Sequence, residues 1–245
     1  MILEPGKTVR EIAIEHPASV RVFDSLGIDY CCGGNRPLEE ACRRANISTD
    51  QVLSMLARIE TQPPVAENNW SQAPLAGLIE HIVGQHHAYI RRESSRLVPL
   101  LDKVDARHGA AHQELKSIQD LFKALVDELF AHMMKEERVL FPYLVKLEAA
   151  AREGRIAPPA MFGSVEMPIS RMLADHEDAG ALGARIRTLA CDFRPPEDAC
   201  ASWHALYHGL EEFERDLHHH VHLENNILFP RALEMERHGG AHGCA

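Results

Sequence analysis

The chain has 245 residues, 45% of them hydrophobic, so it can form one or two domains with a substantial buried core. Its net charge of −10, with histidine counted as neutral, argues against a surface that binds nucleic acid or an anionic membrane. No apolar run approaches the roughly 20 residues of a membrane span, and the first residues lack the order of a secretory signal, so a cytoplasmic protein is expected.

Residues 1–60 are predicted to form a small helical domain. Thr8 is expected to cap a first short helix, and Pro17 to begin a second helix that ends at Gly27. A domain of about 60 residues has a marginal core, so this unit is expected to lean on the rest of the chain or on a partner such as a second copy in a homodimer. Two further helices are predicted in it, Pro37 to Asn46 and Thr49 to Glu60.

A linker and four long helices are predicted for the rest of the chain. Prolines and asparagines in residues 61–73 break any helix and charge is sparse there, which is typical of a linker. Short loops between the long helices favour up-down-up-down packing, so the fold class is all-α, with a four-helix bundle over residues 74–237. Residues 238–245 are expected to be a flexible tail. The four helices are expected at about 74–104, 112–151, 168–191 and 198–237.

One segment of the chain occurs twice. The first copy comprises His132, Glu136, Phe141 and Pro142, and the second comprises His220, Glu224, Phe229 and Pro230. In each copy the glutamate follows the histidine by four residues, the phenylalanine follows the glutamate by five, and the proline comes next. Side chains at i and i+4 project from one face of a helix, so each copy offers a nitrogen and an oxygen to one metal centre. Each proline is expected to kink its helix.

A further histidine precedes each copy at matched spacing. His87 lies 45 residues before His132, and His176 lies 44 residues before His220. Two helical hairpins facing each other would bring these side chains into one core, as in the carboxylate-bridged dinuclear sites of four-helix bundles. Which histidines share a metal is left open. The predicted metal ligands are His87, His132, Glu136, His176, His220 and Glu224, with the two glutamates bridging.

Imidazole nitrogen and carboxylate oxygen suit iron or manganese, and imidazole also suits zinc. Six protein side chains leave coordination positions open, so a small molecule such as O2 or NO is an expected ligand. An oxo or hydroxo bridge between the two ions is also expected, since it would offset their repulsion.

Five other histidines are weaker candidates. His208 has the same spacing to Glu212, but it lies about 120° around the helix from His220 and lacks the Phe-Pro segment. The remaining four are His81, His86, His218 and His222. All five are expected to be solvated or interfacial.

Cys31 and Cys32 are adjacent and precede two glycines that permit a tight turn. A disulfide between neighbouring cysteines is strained, and a reducing cytoplasm favours thiols. The pair is therefore predicted to be reactive or metal-binding; the alternative is that both thiols only pack the small domain.

Longer stretches resemble the iron–sulfur cluster repair proteins, the repair-of-iron-centres family, across nearly the whole chain. The markers are Asp29-Tyr30-Cys31-Cys32-Gly33-Gly34, the segments 132–137 and 175–180, and the run from Leu223 to Leu233. The resemblance implies a small amino-terminal helical domain joined to a hemerythrin-like four-helix bundle with a non-haem di-iron centre, held by the six ligands named above. True hemerythrins use five histidines and two carboxylates, so oxygen storage is less favoured.

The resemblance implies that the protein repairs iron–sulfur clusters damaged by nitric oxide or oxidants, either by supplying iron or by binding or reducing NO. Cys31 and Cys32 would handle iron or NO in that reaction, and damaged iron–sulfur proteins would be the partners. Whether the protein is an enzyme, such as an NO reductase, stays open. The alternatives are a non-catalytic O2 or NO carrier or sensor, and a structural zinc or manganese bundle.

Overall fold

Four short helices form the amino-terminal part of the chain in this computed structural model, which describes residues 6–31, 33–60 and 69–240. Thr8 caps the first helix as predicted: its hydroxyl accepts from the Glu11 N–H, and the Glu11 carboxylate accepts from the Thr8 N–H. Gly27 follows the second helix with a φ of +64°, as expected for a helix stop. The helices are α1, Val9–Glu15; α2, Ser19–Ser25; α3, Leu38–Arg44; and α4, Thr49–Glu60.

Four long helices follow, and they form the predicted bundle. The first comprises α5, Leu75–His81, a π-helical turn, Ile82–His87, and α6, Ala88–His108. The second comprises α7, Glu114–Lys135, a π-helical turn, Glu136–Leu140, and α8, Phe141–Arg152. The third is α9, Glu166–Leu189. The fourth comprises α10, Ala201–His222, a π-helical turn, Leu223–Leu228, and α11, Phe229–Gly240. Helix α7 packs against α6 and α9, and α10 packs against α6, so the all-α, up-down-up-down prediction is confirmed.

Some predicted segments lie outside the described residues: 61–68 of the linker, 241–245 of the tail, and Cys32. Helix α11 continues through residues 238–240, where the sequence analysis predicted the start of the tail.

The π-helical turns explain the spacing of the repeated segment. The Phe141 N–H bonds to the Glu136 carbonyl, and the Phe229 N–H bonds to the Glu224 carbonyl, in each case five residues back. The distance of five residues between glutamate and phenylalanine is therefore the span of one π-type hydrogen bond. The prolines that follow have no N–H and stand where α-helix resumes. A wider helical turn therefore stands directly before each proline-containing helix.

Two apolar clusters fill the bundle on either side of a polar layer. One cluster includes Leu97, Leu125 and Phe213, and the other includes Leu78, Leu144 and Phe229. The first, second and fourth long helices pass from one cluster to the other at their π-helical turns, and the uninterrupted α9 does so near His176. The predicted metal ligands lie in that layer, so apolar packing on both sides separates them from solvent.

The amino-terminal helices contact the bundle at the third π-helical turn, Leu223–Leu228. The Asn226 side chain donates to the Tyr30 carbonyl at 2.9 Å, and the Arg10 guanidinium donates to the Asn226 carbonyl at 3.4 Å. The Tyr30 ring meets the edge of His222 with 5.4 Å between ring centroids. The amino-terminal helices thus pack against the same π-helical turn that carries Glu224.

Candidate metal centre

The six residues proposed from the sequence lie together in the bundle core. Each is at most 2% exposed. They form two overlapping groups, His87, Glu136, His220 and Glu224, and His132, Glu136, His176 and Glu224. Within each group the candidate ligand atoms all lie within 4.8 Å of one another. The two groups share both glutamates, so the arrangement offers two adjacent metal positions.

Each position takes one histidine from each helical hairpin. The Nε2 atoms of His87 and His220 are 3.2 Å apart, and those of His132 and His176 are 3.0 Å apart. This pairing follows from the packing of α6 against α10 and of α7 against α9. This answers the question that the sequence leaves open: His87 and His132 do not share a metal position.

Both glutamates face both positions. Glu224 does so with separate oxygens: Oε1 lies 2.9 Å from His220 Nε2, and Oε2 lies 3.0 Å from His176 Nε2. Glu136 uses one oxygen, since Oε2 lies 3.4 Å from His87 Nε2 and 3.2 Å from His132 Nε2. A carboxylate in this location can bridge two cations and offset their repulsion.

Three of the four imidazoles have a hydrogen-bond partner on Nδ1, the outer ring nitrogen, which points away from the metal positions. His87 Nδ1 lies 2.7 Å from Glu137 Oε1, and His176 Nδ1 lies 2.7 Å from Asn225 Oδ1. These oxygens accept the Nδ1 proton, which leaves the lone pair on Nε2, pointing inward. Asp175 Oδ2 is the acceptor for the third imidazole, since it lies 3.4 Å from His132 Nδ1.

Sequence reasoning did not find these outer partners, although a signal existed. Glu137, Asp175 and Asn225 each stand next to a proposed ligand in the sequence. Each serves a ligand on a different helix, so only the packing of the helices identifies the pairs.

The electrostatics of the site suit cations. Facing nitrogen lone pairs at 3.0 to 3.2 Å repel each other unless a positive charge lies between them. Burial by itself lowers the pKa of His132, but the Glu136 and Glu224 carboxylates outweigh it and raise that pKa to about 11. Burial also acts to raise the pKa of Glu224, yet the surrounding imidazoles hold it well below its usual value. Glu136 Oε1 is buried and has no hydrogen-bond partner in the described residues. The donor set therefore fits a pair of metal ions.

The phenylalanines of the repeated segment line the site. The Phe141 ring lies nearly parallel to His87, with 5.9 Å between centroids and 16° between planes. The Phe229 ring lies against His176 in the same way, at 6.1 Å and 9°. Each phenylalanine thus supports an imidazole from another helix, one at each metal position.

Two of the other histidines lie where the sequence analysis placed them. His208 is exposed, with its Nε2 3.5 Å from Glu212 Oε1, so it is solvated. His222 is interfacial, because its ring contacts Tyr30 of the amino-terminal unit.

His86 is buried in the bundle, which the sequence analysis did not predict. It is 4% exposed, and its ring lies parallel to that of His220 with 5.7 Å between centroids. Its Nδ1 lies 3.0 Å from Asp216 Oδ1. His86 precedes the proposed ligand His87 by one residue and so faces another side of its helix, and that side packs against α10, which carries His220, rather than meeting solvent. A cavity of about 600 Å³ borders this side of the bundle, and its walls include Trp70, His81, Asp216 and His219.

Cys31 lies beside the contact between the amino-terminal unit and the bundle. It is buried, its N–H donates to Asp29 Oδ1 at 3.1 Å, and its Sγ lies 3.5 Å from the same oxygen. The preceding residue, Tyr30, accepts from Asn226 in the turn that carries Glu224. Cys32, which follows Cys31 in the sequence, lies outside the described residues.

Among the helices of the described residues, none is both long enough and apolar enough to cross a membrane.

Two family models match the chain. Residues 78–232 match the hemerythrin HHE cation binding domain, and residues 5–60 match ScdA_N, a domain of unknown function.

Curated relatives match the chain over nearly its full length. The iron-sulfur cluster repair protein YtfE of Musicola paradisiaca is 37% identical over 230 residues, which cover 94% of this chain and 97% of the relative. The protein of the same name from Escherichia coli is 37% identical, with 92% and 96% covered, and that from Yersinia pestis is 35% identical, with 94% and 98% covered. This chain, with its hemerythrin HHE domain, therefore belongs to the family of the iron–sulfur cluster repair proteins.

Proposed function

We propose that this protein holds two non-haem iron ions with an oxo or hydroxo bridge, and that it repairs iron–sulfur clusters damaged by nitrosative or oxidative stress in the cytoplasm. The observation that carries the proposal is the convergence of four buried imidazoles and two buried carboxylates on two adjacent positions. The relatives are named as iron–sulfur cluster repair proteins, which supports damaged iron–sulfur proteins as the substrates.

Each of the predicted domains has its own role in this proposal. Residues 74–237 hold the metal pair, residues 1–60 present the paired cysteines, and residues 61–73 link the two. When bound, the iron pair supplies exchangeable iron and open positions for NO or O2. The chain itself orients the ligands: Glu137, Asp175 and Asn225 accept protons from outer imidazole nitrogens, and the flanking apolar clusters exclude water.

Metal analysis tests the site directly. Protein made in iron-sufficient cells is expected to contain two irons per chain and to show the absorption of an oxo-bridged ferric pair. Glu224→Ala and His132→Ala should lose the metal, because each removes one of the six side chains that form the two metal positions. His208→Ala is the matched control, since His208 also pairs with a glutamate at i+4 but is exposed. Zinc or manganese in place of iron, or full iron retention in Glu224→Ala, would contradict the proposal.

We propose that Cys31 and Cys32 pass iron outward or bind the damaged cluster. Thiolates are soft ligands that suit iron–sulfur clusters, and Cys31 lies next to the interface with the turn of Glu224. The double variant Cys31→Ser/Cys32→Ser should keep its iron but lose repair of a damaged cluster in vitro. Cys191→Ser, at an exposed free cysteine, is the control. Full repair by the double variant would reject the thiol role.

Anaerobic incubation of the reduced protein with NO distinguishes reduction of NO from binding of NO without turnover. Production of nitrous oxide indicates an NO reductase, whereas a stable nitrosyl adduct indicates binding without turnover. Repair that proceeds with neither outcome would assign the activity to iron donation alone.

A further inference from the structure

The four imidazoles of the site differ in what holds their outer nitrogen. His87, His132 and His176 each face an oxygen of another side chain, from Glu137, Asp175 and Asn225 respectively. His220 does not: its Nδ1 is buried and has no hydrogen-bond partner in residues 6–31, 33–60 and 69–240.

The residues around His220 account for this difference. The ring of His86 lies parallel to it, 5° between planes and 5.7 Å between centroids, so His220 meets a ring face on this side. The Asp216 carboxylate pairs with His86 instead, since its Oδ1 lies 3.0 Å from His86 Nδ1. On its outer side His220 is thus held by packing alone, while each of the other three imidazoles also has a hydrogen bond at its outer nitrogen.

The two metal positions are therefore unequal. Both imidazoles of the pair His132 and His176 have outer partners, and we name this the anchored position. Only one imidazole of the pair His87 and His220 has an outer partner, and we name this the half-anchored position. An outer partner fixes the tautomer and orientation of an imidazole ligand and raises its basicity, and its removal typically weakens metal binding by about 10- to 100-fold.

We propose that the half-anchored position, between His87 and His220, is the one that gives up its metal ion, while the anchored position retains its ion. The inference rests on the proposed function, because it assigns the donated iron to one of the two positions. Release needs no electron transfer: the bonds that His87 Nε2, His220 Nε2, Glu136 and Glu224 would make to this Fe²⁺ would break, and ligands of the acceptor would take their place. Both carboxylates would stay bound to the ion that remains between His132 and His176. The cavity of about 600 Å³ borders this side, with His219, the neighbour of His220, in its wall.

Release of metal to a coloured chelator tests the proposal. Protein loaded anaerobically with two equivalents of Fe²⁺ should release iron in two phases of equal amplitude, one per position. Glu137→Ala should accelerate the fast phase about 10- to 100-fold and leave the slow phase unchanged. Asn225→Ala should accelerate the slow phase by a similar factor and leave the fast phase unchanged, whereas Asn225→Asp, which keeps the acceptor oxygen, should restore slow release.

Two outcomes would overturn the proposal: a single phase in the unaltered protein, or acceleration of the fast phase by Asn225→Ala. If Asn225→Ala fails to fold, Asp175→Ala perturbs the same position through His132. Co²⁺ serves as a second probe, so that inequality of the positions can be measured even if the isolated protein proves to hold no iron. Absence of iron would reject the proposed function, and equal release of both Co²⁺ ions would reject the inequality.

Discussion

Replacement of Phe229 by alanine should destabilise the bundle next to the metal layer. The side chain is 1% exposed, and its ring lies 6.1 Å from that of His176 with 9° between planes. Truncation removes the transfer free energy of a buried ring and leaves a cavity, so the free energy of unfolding should fall by about 3–5 kcal/mol. This is a large part of the roughly 5–15 kcal/mol by which domains are stable.

Urea unfolding of the metal-free protein, followed by circular dichroism, measures this loss. Phe130→Ala is the control, because Phe130 is 40% exposed on α7 and its truncation should change stability by less than about 1 kcal/mol. Phe141→Ala should match Phe229→Ala, since Phe141 is 2% exposed and stacks on His87 in the equivalent place. A loss below about 1 kcal/mol for Phe229→Ala would show that the ring does not support the site.

Three further substitutions test other parts of the structure. Arg187→Met should lower the free energy of unfolding by about 3–5 kcal/mol, because it leaves the buried carboxylate of Glu214 unpaired. Burial raises the pKa of Asp24 above its usual value, so stability of the metal-free protein should fall as pH rises through that raised pKa, and Asp24→Asn should remove this fall in urea unfolding. Gly34→Ala should loosen the amino-terminal unit, seen as faster proteolysis there, because its Cβ would lie 2.5 Å from the Tyr30 carbonyl oxygen.

Each of these predictions has its own control. The double variant Arg187→Met/Glu214→Leu should recover most of the lost stability, since no charge is then left buried. An unchanged pH dependence in Asp24→Asn would assign the titration to another group. Gly77→Ala should be neutral or stabilising, because Gly77 is helical and a Cβ there meets nothing within 4 Å. Equal proteolysis of Gly34→Ala and Gly77→Ala would contradict the steric argument.

Several features followed from the spacing of residues along the chain. The all-α class, the four long helices and the family are confirmed, and the six proposed ligands do lie together in the core. Helix periodicity makes this possible, since His132 and Glu136, four residues apart, share a helix face whatever that helix packs against. The Thr8 cap is local in the same sense, because its partner is three residues away.

Other features could not be read from spacing. His86 lies on a different face of its helix from His87, and only the packing of the helices shows that this face meets α10 and His220 rather than solvent. The outer partners were missed because each hydrogen bond joins different helices, as between His176 and Asn225.

The sequence by itself determined the helices of the bundle, the family and the six candidate ligands, because these depend on short-range periodicity and on residue types at characteristic spacings. Only the tertiary structure decided that His87 pairs with His220 and His132 with His176, and that His220 alone lacks an outer hydrogen bond in the described residues. The physical reason is that pairing between helices depends on their neighbours and axial register, which packing of the apolar clusters sets and local propensity does not.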